Sequence, residues 1–341
     1  MFFVCFVAFL LPLDTDAQLI LPVINSPISF NLNPNNPSPG EKVKVSIESY
    51  SVDLDRATID WFVNGELLAR GNGLKTIDTY AGELGSETSI SVVVRPDEIT
   101  EIFDQILIRP MHVSIIWEAD TYTSPFYKGR ALPSTNATIF LEAYQRAKDT
   151  NGNDIPNEDF IFTWKKNGAI LKEISGRGRR EARIPGPLLF GEDIISVEVV
   201  STDNKYSSKG IARIAAVEPH ISLYEDDPLL GIMYHRAIGT EDTIPESDIT
   251  LAAIPFYTSV RNLFNENVSY VWNVNNQDIL TDPRDPFRII LRLASGVVGT
   301  AQISLAISHI EHFLQAAEKF WTLSVTRESA SQRDPFFRTV N

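Results

Sequence analysis

Short runs in which apolar residues alternate with polar ones recur along most of this 341-residue chain. Val43, Val45 and Ile47 share a parity in "KVKVSIESY", as do Ile139, Leu141 and Ala143 in "ATIFLEAY" and Ile249, Leu251 and Ala253 in "DITLAAIPF". Period-two alternation predicts strands with one buried face. A tryptophan-bearing strand follows each run, with Ile59, Trp61 and Val63, then Phe160, Phe162 and Trp164, then Val268, Tyr270 and Trp272 on a common face. The tryptophans are 103 and 108 residues apart. Asn64-Gly65 and Asn167-Gly168 come next and tolerate the positive φ of a tight hairpin; Asn275-Asn276 is a weaker form of the same turn.

About thirty residues further on, a third matched strand carries Ile90, Val92 and Val94, then Ile195, Val197 and Val199, then Ile303, Leu305 and Ile307. Gly85, Gly191 and Gly299 precede these strands and are expected to turn the chain between sheets. "ISFNLNP", "VSIIWEADTY" and "ISLYEDDPLL" open the three copies, and "DQILIRP", "KGIARIAAVEP" and "KFWTLSVTR" close them. Each copy thus offers about seven strands in roughly 100 residues with no long amphipathic helix, the signature of an antiparallel sandwich. The expected fold is all-β: three tandem immunoglobulin-like antiparallel β-sandwich domains spanning 21–110, 111–217 and 218–327, each tryptophan anchoring a core. The joints "LIRPMHV" and "AAVEPHI" are short, which favours stiff connections.

The pattern resembles bacterial immunoglobulin-like and PKD-like repeats of secreted and surface proteins. The Trp-x-x-Asn-Gly hairpin and the strand order carry that resemblance. It implies the sandwich architecture and an extracellular setting, and it implies no binding residue. The paired cysteines of antibody-type domains are replaced by aliphatics such as Val45 and Val92, and the Trp-x-Phe-Gly-Asp-Gly signature of PKD domains is absent.

The first residues change the picture of location. Phe2 to Leu13 form an apolar run too short to span a bilayer. Thr15-Asp16-Ala17 then offers small residues for cleavage before Gln18, so residues 1–17 are expected to be a signal peptide, although no Lys or Arg precedes the run. The single cysteine, Cys5, falls inside it, so the mature chain must rely on core burial rather than disulfides. No second hydrophobic run follows, so the mature chain is expected to have no membrane span. Residues 328–341 form a polar tail. The net charge of −14 repels nucleic acid and anionic headgroups, which removes both from the expected partners.

Candidate chemistry is sparse. In "KDTNGNDIPNEDF", Asp149, Asn151, Asn153, Glu158 and Asp159 are spaced like the oxygen ligands of a calcium loop. Asparagines in place of carboxylates, and Asp154 where the sharp turn wants glycine, give the competing reading of a polar connector. No cofactor is expected beyond that calcium. His309, Glu311 and His312 suggest a metal only if they converge on a helix, and beside the last strands of a sandwich they read instead as exposed loop residues. Arg177, Arg179, Arg180 and Arg183 could meet an anionic glycan or protect a strand edge. "PFYKGRALP" and "GIMYHRAIG" read as matching turns, and Tyr122, Phe126, Tyr127 and Tyr234 as exposed aromatics suited to sugars. Asn136-Ala-Thr138 and Asn267-Val-Ser269 match the glycosylation sequon.

Signatures of nucleophilic, metal-dependent and phosphate-binding enzymes do not occur, so no enzyme is expected. The functional expectation is a non-enzymatic secreted or cell-surface protein, with a periplasmic setting as a variant. It would act as a stiff multi-domain spacer or interaction scaffold whose partners are other envelope or surface proteins, or glycans. The alternatives are a carbohydrate-binding protein and an accessory component of a surface filament or secretion apparatus.

Overall fold

A computed structural model describes residues 26–188, 191–245, 247–292 and 299–326. The proposed signal peptide 1–17, with Cys5, and the tail 328–341 lie outside the described residues. Contacts divide the chain into two compact units. Among the described residues, 26–32, 44–78 and 89–106 form one, and 33–43, 79–88 and those from 107 to 326 form the other.

The first sandwich is built from β1 (Ile28–Asn33), β2 (Lys42–Ser49), β3 (Thr58–Val63), β4 (Glu66–Asn72), β5 (Thr76–Tyr80), β6 (Thr88–Arg95) and β7 (Ile102–Ile108). Its sheets have the orders β1-β2-β5 and β4-β3-β6-β7. The second sandwich repeats that plan. β8 (His112–Ala119), β9 (Thr138–Arg146), β10 (Phe160–Lys166), β11 (Ala169–Ile170), β12 (Gly176–Arg177), β13 (Glu181–Pro185), β14 (Glu192–Ser201) and β15 (Ser207–Ala215) form sheets of order β13-β9-β8 and β11-β10-β14-β15, with β12 also on β10.

The third sandwich comprises β16 (His220–Asp227), β17 (Gly231–Ile238), β18 (Glu241–Pro245), β19 (Ile249–Phe256), β20 (Val268–Val274), β21 (Gln277–Ile279), β22 (Arg288–Leu291), β23 (Gly299–His309) and β24 (Ala316–Thr326). Its sheets run β17-β16-β19-β22 and β18-β24-β23-β20-β21. Two strands here have no counterpart in the other sandwiches. β17 folds back on β16, and β18 crosses to the opposite sheet, where it pairs in parallel with β24. "GIMYHRAIG" is therefore mostly strand, whereas "PFYKGRALP" is a loop, and the expected match between them does not hold. Gly299 also departs from expectation: it is the first residue of β23, paired with Val325, rather than a turn.

The alternating apolar positions face inward as their periodicity requires. Trp61, Trp164 and Trp272 are 0%, 0% and 1% exposed, which identifies them as core anchors. Each stands opposite the middle residue of the third matched strand, in the pairs Trp61↔Val92, Trp164↔Val197 and Trp272↔Leu305. A buried indole still needs a partner for its N–H. Nε1 donates to the backbone oxygen of Leu74 at 2.7 Å, of Arg179 at 2.9 Å and of Pro286 at 2.9 Å. Every acceptor lies two residues ahead of a strand, β5, β13 or β22. The tryptophan therefore ties the approach to one sheet onto a strand of the other.

The turns repeat as strictly. Asn64 and Gly65 have φ of 51° and 84°, Asn167 and Gly168 of 50° and 84°, and Asn275 and Asn276 of 51° and 61°. Two successive positive φ angles make the two-residue hairpin whose twist suits the flanking strands. The first asparagine has a second task. Its Oδ1 accepts the backbone N–H of Ser89 at 2.9 Å, Ile194 at 2.8 Å or Gln302 at 2.9 Å, extending the ladder past the strand's end.

One charge is buried beside these repeats. Asp60, 0% exposed, accepts two hydrogen bonds from Arg70 at 2.6 Å and one from Arg95 at 2.7 Å. The Arg70 guanidinium, helped by Arg95, holds its carboxyl below the usual range against the opposing effect of burial.

Candidate functional site: the joint between the second and third sandwiches

Three segments build the joint: the long connection between β8 and β9, the loop after β19, and the hairpin loop between β23 and β24. Backbone pairs cross it directly. Tyr122 N–H donates to Thr258 O and Tyr257 N–H donates to Tyr122 O, each at 2.8 Å, so a short ladder continues from one sandwich into the next. Val217 N–H donates to Pro133 O at 2.8 Å.

Gln315 is the polar centre. It is 0% exposed, and its Nε2 donates to Thr135 O and Ser259 Oγ, both at 2.9 Å. Its Oε1 accepts the Ser259 N–H at 2.9 Å. Next to it, His309 is 3% exposed, and its Nδ1 accepts the backbone N–H groups of Glu311 and His312, each at 3.1 Å. Nε2 therefore carries the proton and donates to Ser259 O at 3.2 Å. Burial, with His312 nearby, lowers the His309 pKa and keeps the ring neutral.

Aromatic residues fill the rest. Tyr224, Ala252, Ile254 and Phe256 have the parity opposite to the main core, yet they are buried, because Tyr122, Leu132 and Val217 pack against them. The Tyr127 and Tyr257 hydroxyls share a hydrogen bond at 2.5 Å, and His220 stacks on Phe256 with ring centroids 4.8 Å apart. Burial pushes the Tyr122 and Tyr257 phenols up to about 12, with the Tyr234 and Tyr127 hydroxyls beside them adding to the effect. Tyr270 is raised in the same sense by burial.

This geometry revises the sugar-binding expectation. Tyr122 packs within the joint, Tyr127 is bonded to Tyr257, and Tyr234 packs on Tyr224 with ring centroids 5.6 Å apart. Phe126 stands free, 90% exposed, and Tyr127 keeps 38% of its surface exposed despite that bond.

The other candidates fall elsewhere. Asp149, Asn151 and Asn153 meet in one turn, where Asp149 Oδ1 accepts both asparagine N–H groups at 2.9 and 2.8 Å. Glu158 and Asp159 sit on the following 3-10 turn, and Asp159 faces Arg177 at 3.5 Å. Asp149 thus spends its oxygens on its own loop, and hydrogen bonding to Asn153 lowers its pKa. Among the described residues no three His, Cys, Asp or Glu side chains converge as metal ligands. The arginine cluster is dispersed: Arg177 bonds Glu158 O, Arg180 pairs with Glu142 and Glu181, and Arg183 lies over the Phe140 ring. Sequence reasoning missed Gln315, whose partners are remote along the chain, and read His309 as a metal ligand or an exposed loop residue, whereas it is 3% exposed.

No protein-family model matches the chain, and no curated protein matches it. Among solved structures, the central fibronectin-III array of RIM-binding protein is 13% identical, covering 89% of this chain and 98% of that one at a TM-score of 0.30. The three N-terminal domains of the bacteriophage RB49 Highly Immunogenic Outer Capsid protein are 10% identical, with 89% and 98% covered and a TM-score of 0.26. The Bacteroides ovatus protein SGBP-B of a mixed-linkage glucan utilization locus, solved with a heptasaccharide, is 11% identical, with 88% and 70% covered and a TM-score of 0.23. Scores this low add nothing to the architecture, which the strand pairing establishes by itself. Among the described residues no helix is long and apolar enough to cross a membrane.

Proposed function

We propose that this chain is a non-enzymatic structural or adhesive protein of the cell exterior, a spacer or interaction scaffold whose second and third sandwiches move as one piece. The joint carries the reading. A flexible tether needs no fully buried glutamine with three intermodular or loop-fixing hydrogen bonds, nor backbone hydrogen bonds from one module to the next. Fixing the angle between two modules is useful when a surface must be held at a set distance and orientation. The exterior setting rests on the amino-terminal apolar run and on the resemblance to surface repeats. Calorimetry of the full chain should show the second and third sandwiches melting as a single cooperative unit, while antibody detection in fractionated cells should find the protein outside the cytoplasm. Independent melting of the two sandwiches would overturn the rigid piece, and cytoplasmic residence would overturn the setting.

A further inference from the structure

Away from the joint, a groove of about 580 Å³ opens between the end of β9 and the loop before β10. Tyr144, Gln145, Arg146, Lys148, Asp154 and Arg180 are among its lining residues. Three cations at one groove are a local reversal in a chain of net charge −14. Arg180 is balanced by Glu142 at 3.3 Å and Glu181 at 3.2 Å, and Lys148 is 3.8 Å from the well-exposed Asp154. Arg146 makes no ion pair among the described residues.

One further observation points to a ligand. The Tyr144 ring is half exposed at the wall, an apolar plane of the kind on which the C–H face of a pyranose rests.

We infer that this groove binds an acidic saccharide, with carboxylates facing Arg146 and Lys148 and a ring against Tyr144. A volume of this size falls in the range of small-ligand sites. An acidic peptide would satisfy the cations and leave Tyr144 and the polar lining unexplained.

The test is titration of the full chain with tetragalacturonic acid, neutral galactotetraose and hexaglutamate, at low and high salt. Tetragalacturonic acid should bind and galactotetraose should not, with affinity falling as salt rises. Arg146→Ala, at an exposed position, should leave the melting curve unchanged and weaken binding at least about tenfold. Tyr144→Ala should weaken the saccharide by a similar factor. The inference is overturned if tetragalacturonic acid fails to bind at millimolar concentration, if either replacement leaves its affinity unchanged, or if hexaglutamate binds as tightly.

Discussion

Gln315 of the third sandwich donates its side-chain N–H to the backbone oxygen of Thr135 in the second, 2.9 Å away and 180 positions earlier in the chain. The same amide holds Ser259 through both of its ends. Replacement by leucine keeps the bulk and strands a buried donor and acceptors. Gln315→Leu should cost about 2–4 kcal/mol and split the shared transition of the two sandwiches in calorimetry. A single unsplit transition at the original temperature would show that the apolar part of the joint suffices.

The indole bonds can be separated from indole bulk. Trp164→Ala leaves a large cavity and should cost about 3–5 kcal/mol in its own sandwich. Trp164→Phe keeps an aromatic ring but leaves the Arg179 carbonyl without its partner, and should cost about 1–3 kcal/mol. Denaturant melts monitored by a probe in the second sandwich would order the two variants.

Asn167 serves its turn by conformation and by hydrogen bond. Asn167→Gly keeps the positive φ and loses two side-chain bonds, the one accepted from Ile194 and the one donated to the Asp193 carboxylate, at about 1–3 kcal/mol. Asn167→Ala also forces a left-handed alanine and should cost about 1–2 kcal/mol more. If the two variants melt together, the left-handed backbone contributes nothing there.

His309 makes the joint acid-labile. Its folded pKa is lowered, chiefly by burial, so the unfolded chain takes up the proton first. Stability is full above the unfolded value of about 6.5 and declines as pH falls below it. Protonation would also turn Nδ1 into a donor facing two amide N–H groups. Melting temperature should therefore drop between about pH 6.5 and 5, and His309→Asn should flatten that drop. An unchanged slope in the variant would assign the acid response to other groups.

Asp60 acts at lower pH. Arg70 and Arg95 hold its folded pKa below the unfolded value of about 3.9, so its contribution is complete above that value and vanishes as pH falls through the folded one. The first sandwich should lose stability steeply below about pH 4. Asp60→Asn should remove that steepness in acid melts followed by circular dichroism.

The features legible in the sequence are those set by neighbours along the chain. Alternation identified the inward face of the nine matched strands, and Asn-Gly identified the first two hairpins, because pleat and turn are local. The acceptors for the three indoles were hidden, since Leu74, Arg179 and Pro286 offer only backbone oxygen and no residue type announces it. Tyr122 was misjudged as open because the residues of the third sandwich that it packs against are more than a hundred positions away, whereas Tyr234 packs on Tyr224 only ten positions earlier. β18 was missed for a similar reason: its pairing is parallel, with a strand some eighty positions later, and no hairpin turn marks it.

That parallel pairing has a mechanical consequence. Pulling apart the start of β18 and the end of β24 loads the strands in opposite directions along their length. The rungs from Glu241↔Thr322 to Pro245↔Thr326 must then slip together instead of opening one by one. The third sandwich should yield only at high force when stretched between attachment points just before β18 and at the end of β24, and single-molecule extension from those points would read that force.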